Sequence, residues 1–441
     1  MKLRIQVLLA GAIAITVIVP QPGYGQALPL SAALDSALAS HPTLARAEAL
    51  ERSTAEAAST SRATKWPSLR FQTSLTQFQE PMLATPIHAF DATLLPEFNE
   101  TLWQSQLRAG YTLIDWGARG GRVAAADAQL SAAEAATRAA RAELIERVSA
   151  AYLRVQASRA VDDAASARIV ALEEEQSRAQ RGLDQGTAAA VELLRASVAL
   201  QDAQANRTQT RGAVLLAERT LARTIGTTPE RIAGASFDQV EVFRLTGTSA
   251  NGITANPRVE QAEQRAEAAR ARSGGERAPR YPQIDLNAGV LQFGTLDLAP
   301  IFEWQAGISL SWDIFSGGGR SASIRRADAD VRAADSDLAA VELEVETSLD
   351  AARTAIEAAD ARVQALSASV QQWEELVRIE ALGLEAGAGT QRDLLEAQAG
   401  LYQARAGRVE ATTEAFLARV RLAAAEGTLD RNWIMQMSGG S

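Results

Sequence analysis

The same sequence pattern occurs twice in the chain, and this duplication limits the fold more than any other feature. From Trp103 to Gly226 every position pairs with the one 201 residues further on without a gap, so that Trp103 pairs with Trp304. Ahead of that stretch, residues 40–78 pair with residues 255–293 at an offset of 215. A repeat of about 200 residues is far longer than a solenoid period, so we interpret it as the duplication of a whole supersecondary assembly.

Each unit contains short segments in which apolar and polar residues alternate, and these segments hold most of the aromatic side chains. The alternation predicts two strands per unit, at about 68–78 and 103–114 and again at about 283–293 and 303–315. Strands of about ten residues with aromatics near their ends are typical of outer-membrane barrels, and a soluble sheet covered on one face is the alternative. The residues predicted to face lipid are Trp103, Tyr111, Trp304, Leu310 and Trp312.

Four strands are too few to close a membrane barrel, because the smallest known barrels have eight and an open edge in lipid leaves backbone groups unpaired. The strand count therefore predicts that several copies of the chain share one barrel.

Long helical stretches follow each pair of strands. Residues 118–181 and 321–381 contain no proline, and apolar residues recur at spacings of three and four from Val123 to Leu144, which predicts a coiled-coil seam. Each stretch ends at a glycine-containing turn and a second helical run follows, so we predict helical hairpins at 118–225 and 320–426. At 1.5 Å per residue each long helix spans about 95 Å. A periplasmic structural coiled-coil scaffold would share these helices but not the strands.

Residues 1–25 have the features of an export signal. Lys2 and Arg4 precede an apolar run from Val7 to Val19, and small residues ending at Gly25 provide a cleavage site. The run is too short to span a bilayer of about 30 Å. No later segment of the sequence resembles a transmembrane helix.

Residues suited to catalysis or metal binding are scarce. The chain has no cysteine and only two histidines, and its 44 basic residues are outnumbered by 53 acidic ones. The glycine-rich stretch Ser316–Arg320 lacks the lysine and spacing of a phosphate loop. We therefore expect no enzymatic activity, no catalytic, cofactor-binding or metal-binding residues, and no nucleic-acid partner.

These features together resemble the TolC-type outer membrane efflux proteins. The resemblance rests on the strand-to-helix bends that end in Arg119 and Arg320, and on the repeated turns 186–194 and 387–395. It implies a mainly α fold with a β-barrel, in which a homotrimer combines four strands per protomer into twelve and its helices form a periplasmic tunnel. The implied domains are a signal peptide (1–25), a first repeat (26–226), an equatorial inter-repeat region (227–254), a second repeat (255–427) and a C-terminal tail (428–441).

The function implied by the resemblance is that of an exit duct in a tripartite efflux or type I secretion system. The duct would lie in the outer membrane of a Gram-negative bacterium, in contact with its lipid, and would extend far into the periplasm. Its partners would be an inner-membrane transporter and a periplasmic adaptor (membrane fusion) protein.

Two sets of site residues follow. By the resemblance, Asp393 and Glu396 correspond to the acidic pair at the pore constriction, where three copies would form two carboxylate rings. The tyrosine and arginine that help close the entrance in the best-known members correspond here to Leu384 and Gly389. The hairpin turns are predicted to dock the adaptor through their glycines and leucines, namely Gly182, Leu183, Gly186, Gly383, Leu384 and Gly387.

Overall fold

The structure, a computed structural model, describes residues 27–83, 98–237, 255–295 and 301–437. The predicted export signal, most of the inter-repeat region and the last four residues lie outside the described part of the chain. The described elements in chain order are β1 (Ala27–Leu28), α1 (Leu30–Ser40), α2 (Pro42–Ala63), β2 (Ser68–Leu83), β3 (Phe98–Ile114), α3 (Ala118–Asp184), α4 (Ala190–Ile225), α5 (Pro229–Ala233), β4 (Ser236–Phe237), α6 (Pro257–Glu276), a 3₁₀ turn (Ala278–Arg280), β5 (Gln283–Gly294), β6 (Ile301–Ser311), α7 (Gly319–Glu385), α8 (Gln391–Ala425) and α9 (Arg431–Met437).

The predicted fold class is confirmed, since two long helical hairpins, α3–α4 and α7–α8, stand beside one four-stranded sheet. The helices α3 and α7 have 67 residues each, which corresponds to about 100 Å. The hairpin turns are therefore far from the sheet. Within the described residues, no helix has both the length and the hydropathy needed to cross a membrane.

The helices form a layer in which α3 is central. α2 and α4 pack on one side of α3, α6 and α8 pack on the other, and α7 packs against α6 and α8. α3 therefore buries two stripes instead of the single predicted seam. Ala126, Leu130 and Ala133 of that seam are only half-buried, whereas Ala128 and Ala132 beside them are buried.

The end of each returning helix, α4 or α8, meets the residues that precede a short helix, α2 or α6. Gly226 ends α4 in a left-handed conformation beside Ser40, and Gly427 follows α8 in the same conformation against Asn256. The Asn256 side chain accepts a hydrogen bond from the backbone of Arg258 and donates one to the Ala425 carbonyl, both at 2.8 Å. Asn256 thus caps α6 and satisfies a carbonyl at the end of α8.

The four strands of the sheet are antiparallel and lie in the order β2-β3-β5-β6. The two predicted hairpins are joined through β3 and β5, so β2 and β6 are the edges. β6 ends at Ser311, short of the predicted end at 315, because a tight turn with left-handed glycines at 317 and 318 leads into α7.

A compact cluster of buried residues lies midway along the helices. Tyr152 is fully buried there, and its hydroxyl donates to the Leu28 carbonyl at 2.8 Å. The cluster includes Ile232 of α5 and Ile434 of α9, while β1 pairs with β4 in parallel. The described parts of the inter-repeat region and tail thus pack together around the waist of the protomer, and their role as an equatorial belt remains a prediction.

Candidate functional site: the exposed sheet and the hairpin turns

One face of the sheet is apolar and open to solvent in the single chain. Trp103 lies opposite Leu75, Val290 lies opposite both Leu107 and Trp304, and the apolar face therefore carries the odd-numbered residues of β2 and β3 and the even-numbered residues of β5 and β6. Trp304 is 81% exposed. The other face carries polar side chains, among them Gln72, Gln106, Asn287, Gln305 and Ser309.

Four of the five residues predicted to face lipid lie on this apolar face, namely Trp103, Tyr111, Trp304 and Leu310. The fifth, Trp312, follows the end of β6, and its indole N–H donates to the Arg280 carbonyl at 3.2 Å. Leu310 is one residue from the end of β6, so it lies near the helical side of the sheet rather than at its middle.

The bends from strand to helix have the same backbone in both repeats. Trp116 and Gly117 have φ of +54° and +92°, and Gly317 and Gly318 at the equivalent positions have +59° and +84°. Trp116 holds this conformation, unusual for a bulky residue, with its indole N–H donating to the Pro282 carbonyl at 2.8 Å. The repeated requirement is thus for left-handed backbone at the bend.

Arginines hold both bends together. Arg119 donates to the Asp115 carboxylate at 2.7 Å and to the Thr112 carbonyl at 2.6 Å. Arg320 makes the equivalent bond to the Asp313 carbonyl. These two arginines, which carry part of the sequence resemblance, therefore bind the last residues of the strand to the first turn of the helix.

The two hairpin turns at the far end of the helices are copies of one motif. Gly186 and Gly387 have φ of +74° and +72°, and the carbonyls of Gly182 and Gly383 each accept two backbone N–H groups from the turn. This is the Schellman arrangement, which requires a left-handed residue after the helix. Leu183 and Leu384 are half-buried in these turns.

A glycine on one side of each turn makes room for the other side. A Cβ on Gly182 would come within 2.8 Å of the Ala188 Cβ, and one on Gly389 within 3.0 Å of the Gly383 backbone. An arginine at the position of Gly389 could not adopt this close turn unchanged.

Asp393 and Glu396 lie in the first turns of α8 and both are exposed. The Thr390 hydroxyl donates to the Asp393 carboxylate at 2.5 Å and accepts the Asp393 backbone N–H at 3.3 Å. Asp393 therefore takes part in a capping arrangement at the start of α8. The carboxylate at 396 has no such role in the cap.

The two hairpins meet between α3 and α8 through residues that no sequence pattern predicted. The Arg168 guanidinium lies 5.4 Å from the centre of the Tyr402 ring, and the Tyr402 hydroxyl donates to Asn206 at 2.8 Å. Burial raises the pKa of Tyr402. Leu395 packs on a hydrophobic cluster that includes Leu172 and Leu200.

A second group that no sequence pattern predicted is an ion pair on α3, two turns from the buried Tyr152. Arg159 pairs with the buried Glu218, and the equivalent positions in the second repeat hold the same ion pair with the charges exchanged, Asp360 and Arg419. Alignment of the two repeats at the 201-residue offset would have revealed this reciprocal pair.

The described residues include no group of three histidine, aspartate or glutamate side chains placed to hold a metal ion. A cavity of about 910 Å³ between α3, α6, α7 and α8 is lined largely by alanine. Glu146 and Arg421 also line it, with the Arg421 Nε 3.9 Å from the Glu146 Oε1. Burial raises the pKa of Glu146.

Comparisons with known proteins agree with this architecture. The sequence model of the outer membrane efflux protein family matches residues 33–227 and 253–428. No curated protein sequence matches the chain.

Solved structures match over nearly the whole chain. The outer membrane protein VceC from Vibrio cholerae is 21% identical, with a TM-score of 0.78 over 90% of this chain and 96% of that one. The CmeC outer membrane channel of Campylobacter jejuni is 15% identical, with a TM-score of 0.80 over 93% and 89%. The open state of the Neisseria gonorrhoeae MtrE outer membrane channel is 20% identical, with a TM-score of 0.75 over 91% and 90%. At these identities the likeness establishes the fold.

Proposed function

The chain belongs to the outer membrane efflux protein family, whose members are transport ducts of the outer membrane, and we propose that three copies of it form one exit duct. In this proposal the sheets join into a twelve-stranded barrel, and the helical hairpins form a tunnel that extends into the periplasm. The duct receives substrate from an inner-membrane transporter through a periplasmic adaptor, as part of a tripartite efflux or type I secretion system.

The observation that carries the proposal is the sheet itself. Its apolar face is exposed and its edge strands β2 and β6 have no partner among the described residues of the chain. Lipid would cover the apolar face, but unpaired edges are not tolerated in lipid, so further copies must close the sheet. Two copies give eight strands, whose interior side chains fill, whereas three give twelve and leave a lumen.

We place the duct's working sites at the other end of the helices. Three copies would present six Schellman turns, in which Leu183 and Leu384 supply accessible apolar surface and the glycines allow a partner's backbone to approach. Asp393 and Glu396 lie one helical turn apart just beyond the second turn. Their proposed role is to line the constriction as two carboxylate rings.

The assembly is tested by the mass and insertion of purified protein. Light scattering of the detergent-solubilised mature chain should give three chains per particle after subtraction of detergent. Ile308→Arg, on the apolar face and three residues from the end of β6, should impair insertion by about 2 to 4 kcal/mol per copy if it lies near the midplane. Leu310→Arg, closer to the strand end, should cost less.

Gln305→Arg on the polar face of the same strand is the matched control and should insert normally. A monomeric particle, or equal insertion of Ile308→Arg and Gln305→Arg, would rule out the shared barrel.

Adaptor docking is tested with Leu183→Asp combined with Leu384→Asp. This variant should lose crosslinking to the adaptor and lose export while keeping its oligomeric mass. Val170→Asp alters an exposed apolar residue of α3 away from the turn and should leave docking intact. Undiminished adaptor crosslinking in the double variant would remove the turns from the docking site.

A further inference from the structure

Three buried oxygen atoms without a hydrogen-bond donor lie between the two hairpins, near their turns. They are Glu175 Oε2 on α3 and the side-chain carbonyl oxygens of Gln391 and Gln398 on α8. Glu175 is only 5% exposed and Gln391 only 7%. None of the three oxygens accepts a hydrogen bond from the described residues. Because buried polar atoms of folded proteins nearly always have a partner, three unpartnered acceptors in one contact indicate a ligand.

The two glutamines lie on the stripe of α8 that contacts α3. The Tyr402 ring on this stripe lies under the Arg168 guanidinium of α3, and Leu395 packs on the cluster that includes residues of α3. Gln391 lies one helical turn before Leu395, and Gln398 lies one turn after it. Residues three and four apart share one face of a helix, so both glutamine side chains point toward α3.

Glu175 lies on the facing stripe of α3. It is seven residues, or two helical turns, nearer the turns than Arg168, and Leu395 is seven residues nearer the turns than the ring that Arg168 contacts. In this antiparallel pair Glu175 therefore faces Leu395, with Gln391 and Gln398 on either side. Since one helical turn rises about 5.4 Å, the two amides approach the carboxylate from opposite directions, and the three oxygens can meet at one point.

The charges around Glu175 favour a bound cation. Arg178 lies 3.3 Å from Glu175 Oε1 and leaves Oε2 without a partner. Burial raises the pKa of Glu175, Arg178 lowers it, and the negative charges of Glu174 and Glu385 raise it further. The net effect is an increase, so the ionised carboxylate is poorly compensated by the described residues. A positive charge held at Oε2 would stabilise it.

We propose that Glu175, Gln391 and Gln398 bind one divalent cation between the two hairpins, and that calcium fits the site best. Calcium takes about six to eight oxygen ligands in a flexible geometry, and carboxylate oxygens, amide oxygens and waters all serve. Magnesium demands a near-ideal octahedron at about 2.0 to 2.1 Å, which three long side chains from two helices do not impose. The scarcity of histidine and cysteine does not count against such a site, because it needs neither nitrogen nor sulfur.

The site goes beyond the proposed function and does not rest on it, because all three ligands belong to one chain. The repeat-equivalent positions hold Leu376, Ala190 and Ser197, so the other repeat lacks this set of oxygens. The cation joins α3 of the first hairpin to α8 of the second. Its binding therefore stabilises the contact between the hairpins close to their turns.

Hydrogen–deuterium exchange in a calcium titration tests the site on the purified, detergent-solubilised chain after treatment with a chelator. The parent protein carries Asp393→Asn with Glu396→Gln, so that the proposed constriction cannot supply the effect. Exchange in peptides covering residues 168–179 and 391–402 should slow with a midpoint of about 10⁻⁴ to 10⁻³ M calcium, the weak end of calcium sites, because one ligand alone is charged. At about 10 mM calcium the slowing should reach about 10-fold to 100-fold.

Two variants of the ligands should lose this response. Glu175→Gln keeps the size of the side chain but removes its charge, and it should abolish the slowing. Gln398→Leu should move the midpoint to higher calcium, and it tests the site separately if the first variant folds poorly. Glu174→Gln is the matched control, because it removes an exposed charge from the same helix and should keep the slowing. Circular dichroism checks that each variant is folded.

The outcomes separate this site from the exit duct. No slowing in the parent, or equal slowing in the parent and Glu175→Gln, would overturn the site and leave the duct intact. Slowing on acidification from about pH 7 to pH 5, without any response to calcium, would show that Glu175 takes up only a proton and would also overturn it. Equal slowing by magnesium at the same concentrations would overturn the choice of calcium. Monomeric particles by light scattering that keep the calcium response would overturn the duct and leave the site.

Discussion

Replacement of Arg159 by methionine should release the segment after α4 from the helices. The Arg159 guanidinium donates to the Glu218 carboxylate at 2.6 Å and to the carbonyls of Ala235 and Ile232 at 2.7 and 2.8 Å. It also lies 4.6 Å from the centre of the Phe237 ring. One side chain thus joins α3, α4, α5 and β4.

The magnitude follows from the burial of its partner. The Glu218 side chain is only 7% exposed, so removal of the arginine leaves a nearly buried carboxylate without its counter-ion. Loss of one partner of a buried pair costs about 3 to 5 kcal/mol. If that cost appears as easier local opening, amide exchange in residues 229–237 should accelerate by about two to four orders of magnitude, up to the limit of exchange from the open segment.

The assay is hydrogen–deuterium exchange followed by mass spectrometry of peptides that cover residues 229–237. Arg419→Met is the matched control, because its partner Asp360 is 44% exposed and remains solvated, so the loss should be about 1 kcal/mol or less. Exchange in 229–237 that is equal in Arg159→Met and wild type would refute the reasoning. The swap Arg159→Asp with Glu218→Arg copies the charge order of the second repeat and should restore the ion pair but not the slow exchange, because aspartate cannot donate to the carbonyls.

Three further predictions concern the second repeat and the cavity. Gly400→Ala would place a Cβ 2.6 Å from the Trp373 ring. Overpacking of about 1 to 3 kcal/mol should exceed the gain in helix propensity and lower the thermal stability of the helices, measured by circular dichroism. Adding Trp373→Leu to this variant should restore the thermal stability. Asp393→Asn with Glu396→Gln should reduce cation preference and block by trivalent cations in planar bilayers; unchanged selectivity would place both residues outside the pore. Burial raises the pKa of Glu146, so its protonated carboxyl stabilises the fold at low pH, and this stability is lost as pH rises through the shifted pKa. Glu146→Gln should therefore melt at a higher temperature than wild type at pH 7 and lose that advantage below about pH 4.

The elements that the sequence predicted well are those determined locally. Alternation in β3 and β6 and the absence of proline in α3 and α7 are properties of neighbouring residues, and the repeat turned each observation into two. The burial of α3 was predicted less well. Ala128 and Ala132 are buried because α3 has partners on two sides, and the number of partners is a property of the assembled layer rather than of the helix's own periodicity.

In the candidate site as well, features determined by neighbouring residues were predicted and contacts between distant residues were not. The spacing of three between Asp393 and Glu396 was enough to place both on one face of a helix, and the structure adds the Thr390 cap that engages only Asp393. The group formed by Tyr402, Arg168 and Asn206 joins residues up to 234 positions apart in sequence, and no local pattern marks such a contact.

Contacting pairs of residues are complementary in volume or charge in both repeats, even where the residues themselves differ. In the first hairpin Leu172 corresponds to Trp373 of the second and Ala199 corresponds to Gly400, so a larger side chain on the long helix accompanies a smaller one on the returning helix. The exchange of charge between Arg159–Glu218 and Asp360–Arg419 follows the same rule. Because a close-packed contact constrains the combined volume and charge of both partners, one member can change only when the other compensates.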